Sequence, residues 1–241
     1  MNIIEFKDKE QLGKEAAAFI ARSIESKPDA VLGLATGGTP TETYKELIHL
    51  YQMKQLSFKQ TRTVNLDEYA GLDSHHENSY MTYMKQHLFD HVDLPEDQYF
   101  LPNGHASNLE EECLRYEKLI QDLGGIDLQL LGIGQNGHIG FNEPGTPFDS
   151  KTHVIQLDEN TRQANARYFS SIDEVPKYAI TMGIASILSS KKILLIATGK
   201  SKAEVIKQLE QSEIHPDFPA SALKLHPDVT IFIDSEAGSL R

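Results

Sequence analysis

Ile126-Asp127-Leu128-Gln129-Leu130-Leu131-Gly132-Ile133-Gly134-Gln135-Asn136-Gly137-His138-Ile139-Gly140-Phe141-Asn142-Glu143-Pro144 joins an apolar run to a glycine-rich loop. The run from Ile126 to Leu131 reads as a strand entering a core. The glycines beyond it let the backbone turn tightly and approach a ligand, and among them sit His138, Asn136 and Glu143, residue types that relay protons. Gly132, Gly134 and Gly137 also satisfy GxGxxG, so a dinucleotide site has to be weighed. That fingerprint needs a helix to begin at the loop and face the pyrophosphate. Gly140, Pro144, Gly145 and Pro147 oppose a long helix there. The stretch therefore predicts a strand that hands over to an irregular loop.

Outward from this centre, strand and helix patterns alternate. Ile3–Phe6 is a short edge-strand candidate, and Leu12, Ala16, Phe19, Ile20 and Ile24 recur at helical spacing until Pro28. Ala30–Ala35 is a near-continuous apolar run of the kind buried on both faces of a parallel sheet. Thr36-Gly37-Gly38-Thr39-Pro40 follows and leads into a helix that runs to about Met53, with Pro40 in its first turn and Thr39 as a candidate cap. Arg62–Leu66 is a strand candidate ending at Asp67-Glu68-Tyr69-Ala70-Gly71. Asn78 or Ser79 is placed to cap a helix reaching about Phe89, and Tyr99–Leu101 and a helix over Asn108–Leu123 lead back to the centre. The polar stretch 145–178 has weak periodicity and is expected to be a mobile flap over the site. Ala179–Met182, Lys192–Ala197 and Val229–Ile233 read as the remaining strands. The expected fold is α/β, a Rossmann-like open, mostly parallel sheet with helices on both faces, formed by residues 1–241 as one domain.

The composition narrows the setting. Hydrophobic residues make up 39% and charged residues 24%, as in ordinary globular proteins, and the net charge of −12 argues against nucleic acid or an anionic membrane as partner. A small phosphorylated ligand needs only local cations and stays open. Cys113 is the only cysteine, and Met1–Asp8 lacks a signal-peptide profile, so a reducing cytoplasmic setting is expected. Nothing in the pattern selects between a monomer and a homo-oligomer.

Four handovers from strand to loop carry the candidate chemistry, where open α/β sheets hold ligands. The Thr36–Thr39 turn offers backbone N–H groups and a helix N-terminus to a phosphate, although it lacks the ending of a Walker loop. Thr198-Gly199-Lys200-Ser201-Lys202 repeats that design and adds lysines, which oppose the helix dipole and so favour an anion partner. Asp67 and Glu68 point to different sides of an extended backbone, so at most one faces a pocket while the other caps or pairs. His138, five residues before Glu143, is placed for an oriented acid–base pair. His75, His76 and Glu77 lack a metal-ligand spacing, so no metal is expected, and no Gly-x-Ser-x-Gly elbow occurs, which stands against a serine hydrolase; no other cofactor is expected either. These residues by themselves name no reaction.

Taken together, Leu34–Pro40, Asn65–Leu72, Gly134–Pro144 and Thr161–Arg167 resemble the signatures of the glucosamine-6-phosphate deaminase family, in order and at similar spacing from the first strand to the last. The resemblance implies conversion of glucosamine 6-phosphate and water to fructose 6-phosphate and ammonia. It implies that His138 opens the sugar ring, oriented by Glu143 and Asn136, and that Asp67 carries a proton from carbon 2 to carbon 1. It further implies that Thr36, Gly37, Gly38, Thr39, Arg167 and Lys202 hold the phosphate, with Tyr168 or Phe169 helping the flap to close. A hydrogen on carbon next to an iminium is acidified, so a carboxylate fixed at contact distance can remove it without a metal.

The chain departs from the family pattern at two places. Many members carry aspartate where Asn136 stands, but an amide can still orient an imidazole. Allosterically activated members have an Arg-x-Lys pair where this chain has His153-Val154-Ile155, and a longer tail, so the resemblance implies that the regulatory site is missing. Two rival readings remain. One is a 6-phosphogluconolactonase-like hydrolase, whose relatives usually have a Ser-Leu-Phe-Pro-like continuation of the loop and an arginine after the Asp-Glu pair. Phe141-Asn142-Glu143-Pro144 and Tyr69 stand against it. The other is a non-catalytic sugar-phosphate-binding module, which would not need Asp67, His138 and Glu143 together.

Overall fold

The structure, a computed structural model, describes residues 1–159, 162–163, 166 and 169–241. Seven strands form a parallel sheet: β1 (Asn2–Phe6), β2 (Val31–Leu34), β3 (Arg62–Asn65), β5 (Tyr99–Phe100), β6 (Leu128–Leu131), β9 (Ile193–Ala197) and β10 (Val229–Asp234). Their order is β1-β10-β9-β6-β2-β3-β5, which leaves β1 at an edge as its short pattern predicts. Period-two alternation assigns the faces. In β9, Ile193, Leu195 and Ala197 belong to one core cluster, whereas Leu194 and Ile196 belong to the other. Helices α1 (Lys9–Ser26), α2 (Thr41–Gln52) and α3 (Tyr80–His87) cover one face through Leu12, Ile20, Tyr44, Leu47 and Met84. Helices α4 (Leu109–Asp122), α5 (Ile184–Leu188) and α6 (Ala203–Gln211) cover the other through Tyr116, Ile187 and Ile206. Asp8, Ser79 and Asn108 cap α1, α3 and α4 by accepting hydrogen bonds from Gln11, Thr82 and Glu111. At α2 the residue before the helix is Pro40, and no side chain caps it, contrary to the expectation for Thr39.

Three strands depart from the sequence reading. Asp67–Tyr69, expected as the end of the preceding strand and its loop, forms β4, and Tyr178–Thr181, expected in the main sheet, forms β8. They pair antiparallel in a separate sheet of order β4-β8-β7, whose third strand, β7 (His153–Gln156), lies inside the polar stretch expected to be a flap. The carboxylate of Glu117 on α4 anchors β7, accepting from the Thr152 amide (2.9 Å), the Thr152 hydroxyl (2.5 Å) and the Ser186 hydroxyl (2.5 Å). Half-buried strand residues with polar neighbours give a weak alternation signal, which is why β7 escaped it. Among the described residues no helix is long and apolar enough to cross a membrane.

Candidate active site

The chain switches direction between β6 and β2, and all four candidate loops leave the carboxyl ends of the consecutive strands β9, β6, β2 and β3. This crevice is built from both ends of the chain.

The turn after β2 has its carbonyls tied down from behind. Tyr44 Oη donates to the Ala35 carbonyl and Tyr83 Oη to that of Gly37, both at 2.5 Å, and Thr41 Oγ1 donates to that of Gly38 at 3.1 Å. Gly37 sits at φ +92°, the left-handed region, and nothing lies within 4 Å of a Cβ at Gly37 or Gly38. Among the described residues none of the N–H groups of Thr36, Gly37, Gly38 or Thr39 donates to a protein acceptor. The result is an open cluster of donors at the start of α2, suited to an anion. Tyr44 and Tyr83 have no local signal in the sequence that would mark them for this task.

On β9 the turn at Gly199 is held by Asp234, whose two carboxylate oxygens each accept its N–H at 3.0 Å. Lys202 directly precedes α6, and its ammonium donates to the Ile133 carbonyl at 2.7 Å, tying this turn to the central loop. Burial holds its pKa below the ordinary lysine value, and among the described residues two of its three donors have no other acceptor. Arg167 and Tyr168 lie outside the described residues. Phe169 packs edge-on against Tyr69, ring centroids 5.8 Å apart.

The central loop forms a compact knot, with no helix beginning at Gly137 as the dinucleotide reading would need. Gly134 N–H donates to the His138 carbonyl, and a Cβ at Gly134 would lie 2.3 Å from the His138 ring, so the imidazole rests on bare backbone. His138 Nδ1 stands 3.4 Å from Glu143 Oε1, near enough for charge pairing but not aligned as a hydrogen bond. Asn136 Nδ2 donates to Glu143 Oε2 at 2.6 Å, and Asn136 Oδ1 accepts the His138 amide at 3.2 Å. The amide therefore acts on the carboxylate and the backbone, not on the imidazole itself. An aspartate at this position would have no proton to offer Glu143 unless it were protonated.

Asp67 and Glu68 divide as the extended backbone requires. Glu68 caps α3: Oε1 accepts from Tyr69 N and Tyr80 N at 2.9 Å each, and Oε2 from Met81 N at 3.0 Å. Burial pushes its carboxyl up to about 7 against the opposing pull of those three N–H bonds. Asp67 is 7% exposed, and among the described residues its carboxylate has no hydrogen-bond partner. Burial, and then the neighbouring Glu68, push its pKa up to about 8. A Cβ at Gly140 would lie 3.8 Å from Asp67 Oδ2, which brings the carboxylate beside the loop of His138 and Glu143. The crevice thus holds a buried proton acceptor, a histidine–glutamate pair and an anion cradle, a set suited to moving protons on a small phosphorylated molecule.

Comparison with known proteins points the same way. Residues 7–232 match the family described as glucosamine-6-phosphate isomerases/6-phosphogluconolactonase. The glucosamine-6-phosphate deaminase of Bacillus pumilus is 85% identical over 241 residues, covering 100% of both chains, and glucosamine-6-phosphate deaminase 1 of Bacillus subtilis is 60% identical over the same span. The solved structure of a monomeric glucosamine-6-phosphate deaminase is 60% identical and superposes with a TM-score of 0.98 over 100% of each chain. The 6-phosphogluconolactonase of Leishmania guyanensis, 20% identical with a TM-score of 0.77 over 98% of this chain and 97% of its own, shares the fold. The chain belongs to the family of glucosamine-6-phosphate isomerases and 6-phosphogluconolactonases.

Proposed function

We propose that this chain, as one domain spanning residues 1–241, is a glucosamine-6-phosphate deaminase that converts glucosamine 6-phosphate and water to fructose 6-phosphate and ammonia. The observation that carries this reading is the meeting, at one crevice, of a buried Asp67 carboxylate without a hydrogen-bond partner among the described residues and the Asn136–His138–Glu143 knot. Identity of 85% to a deaminase along the whole chain supports it. A lactone hydrolase has no need of a carbon base, and likeness to the lactonase structures extends to the fold alone.

In this reading the phosphate docks on the N–H groups of Thr36–Thr39, with Lys202 and Arg167 supplying positive charge. His138 moves a proton at the ring oxygen, and Glu143 stabilises the imidazolium that forms, itself held by Asn136. The opened sugar has a carbonyl at carbon 1, which acidifies the hydrogen on carbon 2. Asp67 takes that proton and returns it to carbon 1, while the carbon-2 ammonium gives up one proton and the carbon-1 oxygen gains one, leaving a hydroxymethyl group at carbon 1 and an iminium at carbon 2. Water adds there and ammonia departs. A cationic amine on the substrate favours the ionised carboxylate that this step needs, offsetting the burial that raises its pKa. Phe169, packed edge-on against Tyr69, helps to enclose the sugar. A cytoplasmic setting fits a phosphorylated substrate and the single buried thiol of Cys113.

Ammonia release from glucosamine 6-phosphate tests the proposal, with 6-phosphogluconolactone and unphosphorylated glucosamine as parallel substrates. Turnover confined to the first is expected. Hydrolysis of the lactone without ammonia release would replace this reading with the lactonase one.

A further inference from the structure

Thr181 stands directly across the small sheet from Asp67. Met182 N donates to the Leu66 carbonyl (2.7 Å) and Ala70 N to the Tyr178 carbonyl (3.0 Å), so the ladder bonds fall at positions 66, 68 and 70. Asp67 and Thr181 are then a non-hydrogen-bonded pair, the closer of the two antiparallel arrangements, with both side chains on one face. Thr181 is wholly buried, and its Oγ1 accepts the Phe141 amide at 3.1 Å, inside the loop of His138 and Glu143. A Cβ at Gly140 would lie 3.0 Å from that hydroxyl oxygen and 3.8 Å from Asp67 Oδ2, so hydroxyl and carboxylate both border the side-chain space that Gly140 leaves open. Gly140 has φ +58°, and conformation and space together exclude most side chains there.

We infer that Thr181 is a positioning residue for the carbon proton transfer: its hydroxyl fixes the Gly140–Phe141 peptide against Asp67, and so sets how carbon 2 of the substrate meets the carboxylate. This rests on the assignment of Asp67 as the base. The loop has a second tether, since Asn142 Nδ2 donates to the carbonyls of Ile139 (2.8 Å) and Met182 (2.9 Å). Loss of the hydroxyl therefore shifts the peptide and strands a buried N–H without unfolding the loop.

Two pairs of variants separate the hydroxyl from simple packing. Valine keeps the shape of threonine and loses the acceptor, whereas serine keeps the acceptor and loses the methyl; serine against alanine repeats the comparison at smaller volume. For Thr181→Val, kcat should fall about tenfold or more with KM held within about threefold, the pattern of a misplaced reacting group. Deuterium exchange at carbon 2 should fall in parallel, and Thr181→Ser should retain most of the wild-type kcat and exceed Thr181→Ala. Equal rates for serine and alanine, a serine variant as slow as the valine one, or a change confined to KM would assign Thr181 to packing and overturn the inference. Asp67→Asn run alongside tests the premise separately: wild-type exchange in that variant removes the base assignment, whatever the Thr181 series does.

Discussion

The two sheets treat polar groups in opposite ways. The seven-stranded sheet is covered on both faces and offers a phosphate the open N–H groups after β2 and the Lys202 ammonium beyond the Gly199 turn after β9, with tyrosines and Asp234 satisfying the backbone behind. The three-stranded sheet buries two adjacent carboxylates, satisfies Glu68 with three N–H groups, and leaves Asp67 without one among the described residues. Satisfied backbone geometry binds a ligand at little electrostatic cost. A buried, unbonded carboxylate is unfavourable to the fold and becomes a base near neutral pH for that reason. In the proposed reading, phosphate binding falls to the large sheet and the carbon proton transfer to the small one, with the ring-opening His138 on the loop after β6 of the large sheet, so substitutions at Asp67 and at the phosphate cradle should have different kinetic signatures.

The largest effect belongs to the small sheet. Asp67→Asn should lower kcat by about 100- to 10,000-fold, the range of a general base, while leaving substrate binding nearly intact and stopping deuterium uptake from heavy water at carbon 2. Exchange at wild-type rates would turn attention to Glu68. In the large sheet, Lys202→Ala should act mainly on KM, with a loss of about 1.5–3 kcal/mol, the scale of a charge-assisted hydrogen bond. A fall in kcat at unchanged KM would break the division of labour.

The raised pKa of Asp67 sharpens the comparison further. With its pKa near 8 in the free enzyme, kcat/KM should decline as pH falls below that value, about tenfold per unit, the apparent value belonging to the Asp67–Glu68 pair. The limb in kcat should lie lower, because bound substrate brings a cation. Stability runs the other way. A carboxyl whose folded pKa is raised favours the fold fully below its unfolded pKa, and that contribution is lost as pH rises through about 8. Thermal unfolding at pH 9 and pH 5 should therefore show Asp67→Asn gaining on wild type at the higher pH. A flat activity profile between pH 6 and 9 would contradict the assignment.

Two smaller effects test the supports. Glu68→Gln keeps one acceptor oxygen but turns an amide toward backbone donors at the start of α3, so unfolding free energy should drop by about 1–3 kcal/mol while the folded enzyme stays active. Loss of carbon exchange in a variant of unchanged stability would instead make Glu68 part of the chemistry. Tyr83→Phe removes the bond to the Gly37 carbonyl, and a rise in KM corresponding to about 0.5–1.5 kcal/mol is expected. No rise would mean that Tyr44 and Thr41 hold the turn without it.

Much of the fold was legible because it rests on local periodicity. The apolar runs of β2 and β9, the cap at Ser79 and the glycine turns all draw on interactions within a few residues in the chain. Three of the four candidate loops, at Thr36, Gly132 and Thr198, were legible for the same reason, each being a strand end that runs into glycine. The small sheet was not. β4 is three residues long, β7 is half-buried and polar, and their pairing with β8 joins segments far apart in sequence. The sequence by itself determined that of Asp67 and Glu68 only one could face a pocket, since extended backbone alternates its side chains. Tertiary structure decided which one. The register of β4 on β8 sets Asp67 opposite Thr181 and beside Gly140, while the start of α3 meets Glu68, and registers of this kind are set by side-chain burial across strands rather than by any local preference of the residues.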